Sequence, residues 1–174
     1  FANSRKNIAR VSLYALPGTL LLLSLLSGGD APRIHDITTD TQDPPVFAMA
    51  EQQRGADANS LEINRDVIAQ QQAAFPDVQT LTSSRPVDQA FDRALQVAAD
   101  LGWEVYHQDR NAGLIEAVDT TAIMAFKDDI VIRLRTNAGG TLIDLRSVSR
   151  VGEGDLGANA KRIRAFGEAF QQQG

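Results

Sequence analysis

The sequence contains no cysteine. That single absence removes disulfides, thiolate nucleophiles, cysteine-based zinc sites, iron–sulfur clusters and a lipid-modified cysteine. Histidine is nearly as scarce: His35 and His107 are the only two, far apart in the chain. No histidine-rich metal centre is expected, and no cofactor is called for. Acidic residues are missing from the first 29 positions, where Arg5, Lys6 and Arg10 stand. The other 14 of the 17 basic residues face 22 acidic ones from Asp30 onward. A domain this acidic, without a basic stripe, binds nucleic acid poorly, and no nucleic-acid partner is expected. Neither the P-loop string G-x-x-x-x-G-K-[ST] nor the hydrolase elbow G-x-S-x-G occurs.

What is present begins with a run of 19 uncharged residues, Val11–Gly29. As a helix it would measure roughly 28 Å, against roughly 30 Å of bilayer hydrocarbon. Pro17 and Gly18 would break a soluble helix but are tolerated in a membrane. Cations before the run and Asp30 after it predict a cytoplasmic N-terminus and a folded part outside, in a bacterial inner membrane facing the periplasm. A cleavable signal peptide is the competing reading, but no A-x-A site follows the run. Residues 1–29 are therefore read as a transmembrane anchor. Residues 30–76, with Pro32, Pro44 and Pro45, are read as an extended tether carrying a short helix, Arg65–Ala74, capped by Asn64.

Residues 77–174 read as a globular α+β domain. Val78–Ser83 is a candidate strand. Pro86 opens a helix whose apolar face is Val87, Ala90, Phe91, Ala94, Ala98 and Leu101, stopped by Gly102. Trp103–Gln108 and Leu114–Thr120 form a hairpin through Asn111 and Gly113. A short strand, Ala122–Phe126, turns through Lys127, Asp128 and Asp129 into Ile130–Thr136. Thr141–Ser149 follows, and a last helix starts after Asp155 with Ala160, Ile163, Phe166 and Phe170 on one face. The order β-α-β-β-β-β-α predicts an antiparallel sheet with two helices on one face. Trp103 and Tyr106 are expected at a strand edge or beneath a helix.

Alternation assigns sides. Ile130, Ile132 and Leu134 point one way, so Arg133 and Arg135 point the other, joined by Asp144, Arg146 and Glu116 on a face expected to be open. That face could receive an anionic ligand or a partner, although cross-strand ion pairing explains it as well. With Arg150 and the His35-Asp36 pair, Arg133, Arg135, Asp144 and Arg146 make up the candidate partner or ligand surface. Asp128-Asp129 could ligate a hard cation but reads more simply as a turn. Ser149–Gly157 leads into a helix N-terminus, where phosphates bind. Its acidic Glu153 and Asp155 argue instead for a glycine-shaped loop ending in a cap. His35-Asp36 resembles a base and its orienter, yet neighbouring residues seldom reach the imidazole–carboxylate geometry, so no catalytic residue is named.

Several linked blocks carry a resemblance: Pro32-Arg33-Ile34-His35-Asp36-Ile37-Thr38-Thr39-Asp40, Ala74-Phe75-Pro76-Asp77, Phe126–Arg133, Asp144–Gly152 and Asp155–Ala160. From about Pro32 to Phe170 the chain resembles the bacterial domain-of-unknown-function family 1499. The resemblance implies hydrophobic helices before the domain, consistent with the anchor, and brings no assigned catalytic residues. Two functions are expected to compete. One is a non-catalytic, membrane-anchored accessory subunit docking on a larger membrane protein complex, such as a respiratory or photosynthetic one. The alternative is a small-anion or lipid binding module of the periplasm.

Overall fold

The computed structural model describes residues 32–121 and 124–172. The expected anchor, residues 11–29, lies outside them. Among the described residues no helix is long and apolar enough to cross a membrane. From Pro32 onward the chain forms one compact unit.

Along it run β1 (Asp36–Thr38), α1 (Ala50–Gln53), α2 (Arg65–Ala74), β2 (Leu81–Ser83), α3 (Val87–Asp100), β3 (Glu104–Asp109), β4 (Leu114–Thr120), β5 (Lys127–Asn137), β6 (Gly140–Ser149) and α4 (Ala158–Gln171). The sheet order is β1-β6-β5-β4-β3, every pairing antiparallel. β2 also pairs with β6, so β1 and β2 share one edge of that long strand, β1 at Arg146–Val148 and β2 at Thr141–Ile143.

Local chemistry explains the boundaries. The Asn64 side chain accepts from the Asp66 and Val67 amides, opening α2. Pro86 precedes α3, and Gly102 leaves it at φ +79°, a left-handed turn that suits glycine. At the start of β6, Gly140 has φ +136°, and a Cβ there would stand 2.2 Å from the Ser83 carbonyl oxygen. Only glycine lets β2 approach so closely.

On one face Ile130, Ile132 and Leu134 meet Ile143, Leu145, Ile115 and Ala117. Ala90, Phe91 and Ala94 of α3 and Ile163, Phe166 and Phe170 of α4 complete that core. Trp103 stacks on Phe166 at 5.6 Å between ring centres, and Phe166 on Phe170 at 5.9 Å. Each such large side chain contributes roughly 1.5–3 kcal/mol on burial. Trp103 thus packs beneath α4, whereas Tyr106 occupies a break in the β3–β4 register between Val105 and His107.

Two expectations are corrected. First, the segment read as a strand at Ala122–Phe126 is, where described, a tight loop. Thr121 donates to the Phe126 carbonyl at 2.8 Å, Ala125 donates back to Thr121 at 3.0 Å, and Ala125 has φ 52°. Lys127, Asp128 and Asp129 do not turn; they are the first residues of β5, opposite Thr120, Asp119 and Val118. Second, the residues read as a tether are built into the fold. Ile34 and Ile37 are fully buried, and β1 is a strand of the sheet. The far edge of β1 is closed by Gln71 of α2, whose side-chain amide accepts from the Thr38 N–H at 2.9 Å and donates to its carbonyl at 2.6 Å. An unpaired strand edge needs such partners, and the tether supplies them.

Candidate functional site

Cross-strand register puts Arg133 opposite Asp144, and Arg146 and Glu116 opposite Val131 from either side, so the alternation holds. The face is not open, however. Residues 40–61 lie over it, and their groups meet the sheet's charges one by one.

Arg146 is 1% exposed. Its Nε and Nη2 donate to the two carboxylate oxygens of Asp36 at 2.9 and 2.7 Å, and Nη2 also reaches the Leu61 carbonyl at 2.9 Å. The Phe47 ring covers its guanidinium at 5.6 Å. Arg133 and Arg135 converge on Asp144 at 3.2 and 2.6 Å and on Asp40 at 3.1 and 3.0 Å, while Arg133 also holds Asp43 at 2.9 Å. Asp144, fully buried, further accepts from Thr80 at 2.6 Å. Burial alone would raise the Asp40 carboxyl, but the Asp43 and Gln42 amides and the two arginines outweigh it and hold it below the ordinary carboxylate range.

Farther along the face, Arg150 grips both oxygens of Asp129 at 3.0 and 2.7 Å, and Arg54 Nε stands 2.9 Å from the same carboxylate. Glu116, fully buried, accepts from the Ala48 and Met49 amides. Beside it, burial and the negative Glu116 and Asp129 push the Tyr106 phenol well above its usual range. Five arginines thus meet five carboxylates, with Glu116 held by backbone amides, in a layer between sheet and covering segment. Buried charges persist only when so compensated, which makes this layer a clamp.

His35 and Asp36 do not form a dyad. Both Asp36 oxygens are committed to Arg146, and His35 contributes its backbone carbonyl to Ser149 and Asn159. The cleft they border, about 370 Å³, continues past Asn59, Glu62 and Arg65. Asp128 and Asp129 also part company: Asp129 joins the clamp, while Asp128 accepts from Arg162 on the other face at 2.6 Å. Among the described residues no three His, Cys, Asp or Glu side chains stand together as a metal site.

The β6–α4 loop carries more of a phosphate signature than its acidic residues suggest. Gly152, Gly154 and Gly157 stand at G-x-G-x-x-G spacing between a strand and a helix. The geometry gives those glycines other work. The Asp155 carboxylate accepts from the Gly157 and Asn159 amides at 2.8 and 2.7 Å, occupying the position an anion would take. The strand before the loop belongs to an antiparallel sheet rather than a βαβ unit. Asp155 was expected as the cap residue itself; it caps from two positions before Gly157, which takes φ +83°.

Next to this loop lies a cleft of about 330 Å³ lined by Thr121, Phe126, Asp128, Val151, Gly154 and Leu156. A second, about 290 Å³, is bounded by Trp103, Asp119, Lys161 and Arg162. Arg162 is fixed by Asp119 at 2.7 Å, Asp128 at 2.6 Å and Ser147 at 3.1 Å. Phe126, Val151, Leu156 and the neighbouring Met124 are 47%, 49%, 61% and 64% exposed. Sequence reasoning singled out none of these four. Their signal was apolar side chains outside the periodic faces, Val151 and Leu156 in the glycine-shaped loop and Met124 and Phe126 in the segment read as a strand.

The family described as Protein of unknown function (DUF1499) matches residues 36–170. The chain belongs to that family. No curated protein matches it. The DUF1499 match begins at Asp36, the partner of Arg146, so the covering segment and its charge clamp lie within the family domain rather than before it.

Proposed function

We propose that this DUF1499 protein is a membrane-anchored accessory subunit, non-catalytic, serving a larger membrane protein complex of respiratory or photosynthetic type. Residues 11–29 hold it in a bacterial inner membrane, with the N-terminus cytoplasmic and the folded part periplasmic. The joint between run and domain carries this reading. Nineteen uncharged residues follow Arg5, Lys6 and Arg10, end at Asp30, and lead within a few residues to the buried Ile34. A folded body joined so closely to an apolar run works at the bilayer surface. The clamp supports the same view, because Arg133, Arg135, Arg146 and Arg150 bind carboxylates of their own chain. Docking then uses surfaces other than the arginine face. A second reading, a lipid or small-anion binding module, is favoured in its lipid form by the largely apolar cleft at Phe126, Val151 and Leu156.

The test is topology together with association. The full chain should stay with membranes through an alkaline carbonate wash. Ser84→Cys should react with an impermeant thiol reagent once the outer membrane is permeabilised, and Ser4→Cys should not. Purified in mild detergent, the chain should migrate with a defined set of membrane proteins. Release by carbonate, or the opposite labelling, defeats the anchored reading; a chain migrating alone defeats the accessory one.

A further inference from the structure

Met124, Phe126, Val151 and Leu156 form an apolar rim on two adjacent loops, one joining β4 to β5 and the other β6 to α4. Phe126, Val151 and Leu156 line one cleft. The described chain enters the fold at that same place. The Arg33 backbone passes so close to Gly154 that a Cβ there would stand 3.0 Å from the Arg33 Cα, and the Asp155 amide donates to the Ile34 carbonyl at 3.1 Å. Gly154 is itself a wall of the cleft. Between Gly29, the last residue of the uncharged run, and Pro32 the chain can span at most about 10 Å.

We propose that this rim rests in the interfacial layer of a lipid bilayer, beside the point where the chain leaves it. The proposal depends on the anchored reading above. If residues 11–29 occupy the hydrocarbon, covalent length alone keeps Arg33 and Gly154 within reach of the headgroups. Phe126, Val151 and Leu156 line the cleft that Gly154 walls, with Met124 two residues from Phe126, and an aromatic and aliphatic set at such depth is favoured by burial against the acyl boundary. The flanking charges fit an interface. Arg33, Lys127 and Lys161 are exposed cations able to meet lipid phosphates, Asp155 is occupied as a helix cap, and Glu153 is the exposed acid. A lipid surface is preferred to a protein partner because the joint brings lipid to the rim without any further component.

The absence of cysteine makes the test clean. Val151→Cys and Leu156→Cys, each in the full chain, are labelled with an environment-sensitive fluorophore and reconstituted into phosphatidylcholine vesicles. Ala138→Cys serves as control, because Ala138 lies in the hairpin at the far end of β5, roughly 35 Å away by strand rise. The expected result is blue-shifted emission at 151 and 156, quenched at least threefold more than at 138 by lipids carrying a headgroup-proximal nitroxide. Trp103 emission reports that each variant keeps its core. Equal, water-like emission at all three sites, with the chain still embedded, overturns the rim and leaves the anchor intact. A chain that does not partition into vesicles overturns both readings. Shielding that develops in native membranes but not in pure lipid assigns the rim to a protein partner and also overturns the proposal.

Discussion

Asp36 and Arg146 meet diagonally across the β1–β6 pairing, where Arg146 stands opposite Thr38, in a two-point bridge with both carboxylate oxygens accepting from one guanidinium at 2.7 and 2.9 Å. Asp36 opens the first strand and Arg146 lies near the middle of β6, 110 positions later. The bridge ties β1 to β6, and with the contact to the Leu61 carbonyl of the covering segment it leaves Arg146 nothing to offer a partner. An expectation of docking through Arg146 is thereby replaced by one about stability.

Arg146→Ala should destabilise the domain by about 3–5 kcal/mol, since it removes a buried guanidinium and strands the largely enclosed Asp36 carboxylate. Replacing both groups, Arg146→Met with Asp36→Leu, should cost clearly less than the sum of the single changes. Urea unfolding followed by Trp103 fluorescence measures all four corners of the cycle. Additive losses would show that the two groups act separately.

Gln71 offers a sharper test of how β1 is held in the sheet. Its amide is the strand partner that β1 lacks on its outer edge, so Gln71→Ala should cost about 1–3 kcal/mol through two unsatisfied backbone groups. Gln71→Glu keeps an acceptor for the Thr38 N–H but cannot donate to the Thr38 carbonyl while ionised. Hydrogen exchange at Thr38 should accelerate in Gln71→Ala and less in Gln71→Glu. Unchanged protection in both would mean that β1 is held by β6 alone.

Phe166 lies between Trp103 and Phe170 with no exposed surface. Phe166→Ala should lower stability by about 3–5 kcal/mol and shift the Trp103 emission as the cavity opens. Phe166→Leu should recover more than half of that loss.

Acidification should loosen the arginine clamp. The Asp40 carboxyl is held below its ordinary value of 3.8, so its contribution is complete above that pH and is lost as pH falls through the lower folded value. Asp40→Asn keeps an acceptor for the Gln42 and Asp43 amides while removing the charge near Arg133 and Arg135. The stability gap between the parent and Asp40→Asn should be widest near neutrality and close below pH about 4. A gap independent of pH would remove Asp40's charge from the clamp.

The sequence by itself determined the parts governed by short-range chemistry. Asn64 capped α2 as read, Gly102 stopped α3, and alternation along β5 and β6 put Ile130 and Ile132 on one face and Arg133 on the other. Periodicity of 2 or 3.6 residues requires no knowledge of partners. Tertiary structure decided what lay beyond that range. Nothing local shows that residues 40–61 cover the arginine face, because Arg133 meets Asp43 and Arg146 meets the Leu61 carbonyl across some 90 and 85 positions. Asp128 and Asp129 have the composition of a turn, yet pairing with β4 and two separate arginine partners extend them into a strand. A polar segment with Pro32, Pro44 and Pro45 reads as solvated when alone; the unpaired edge of β6 and the charges beside it turned that segment into part of the fold.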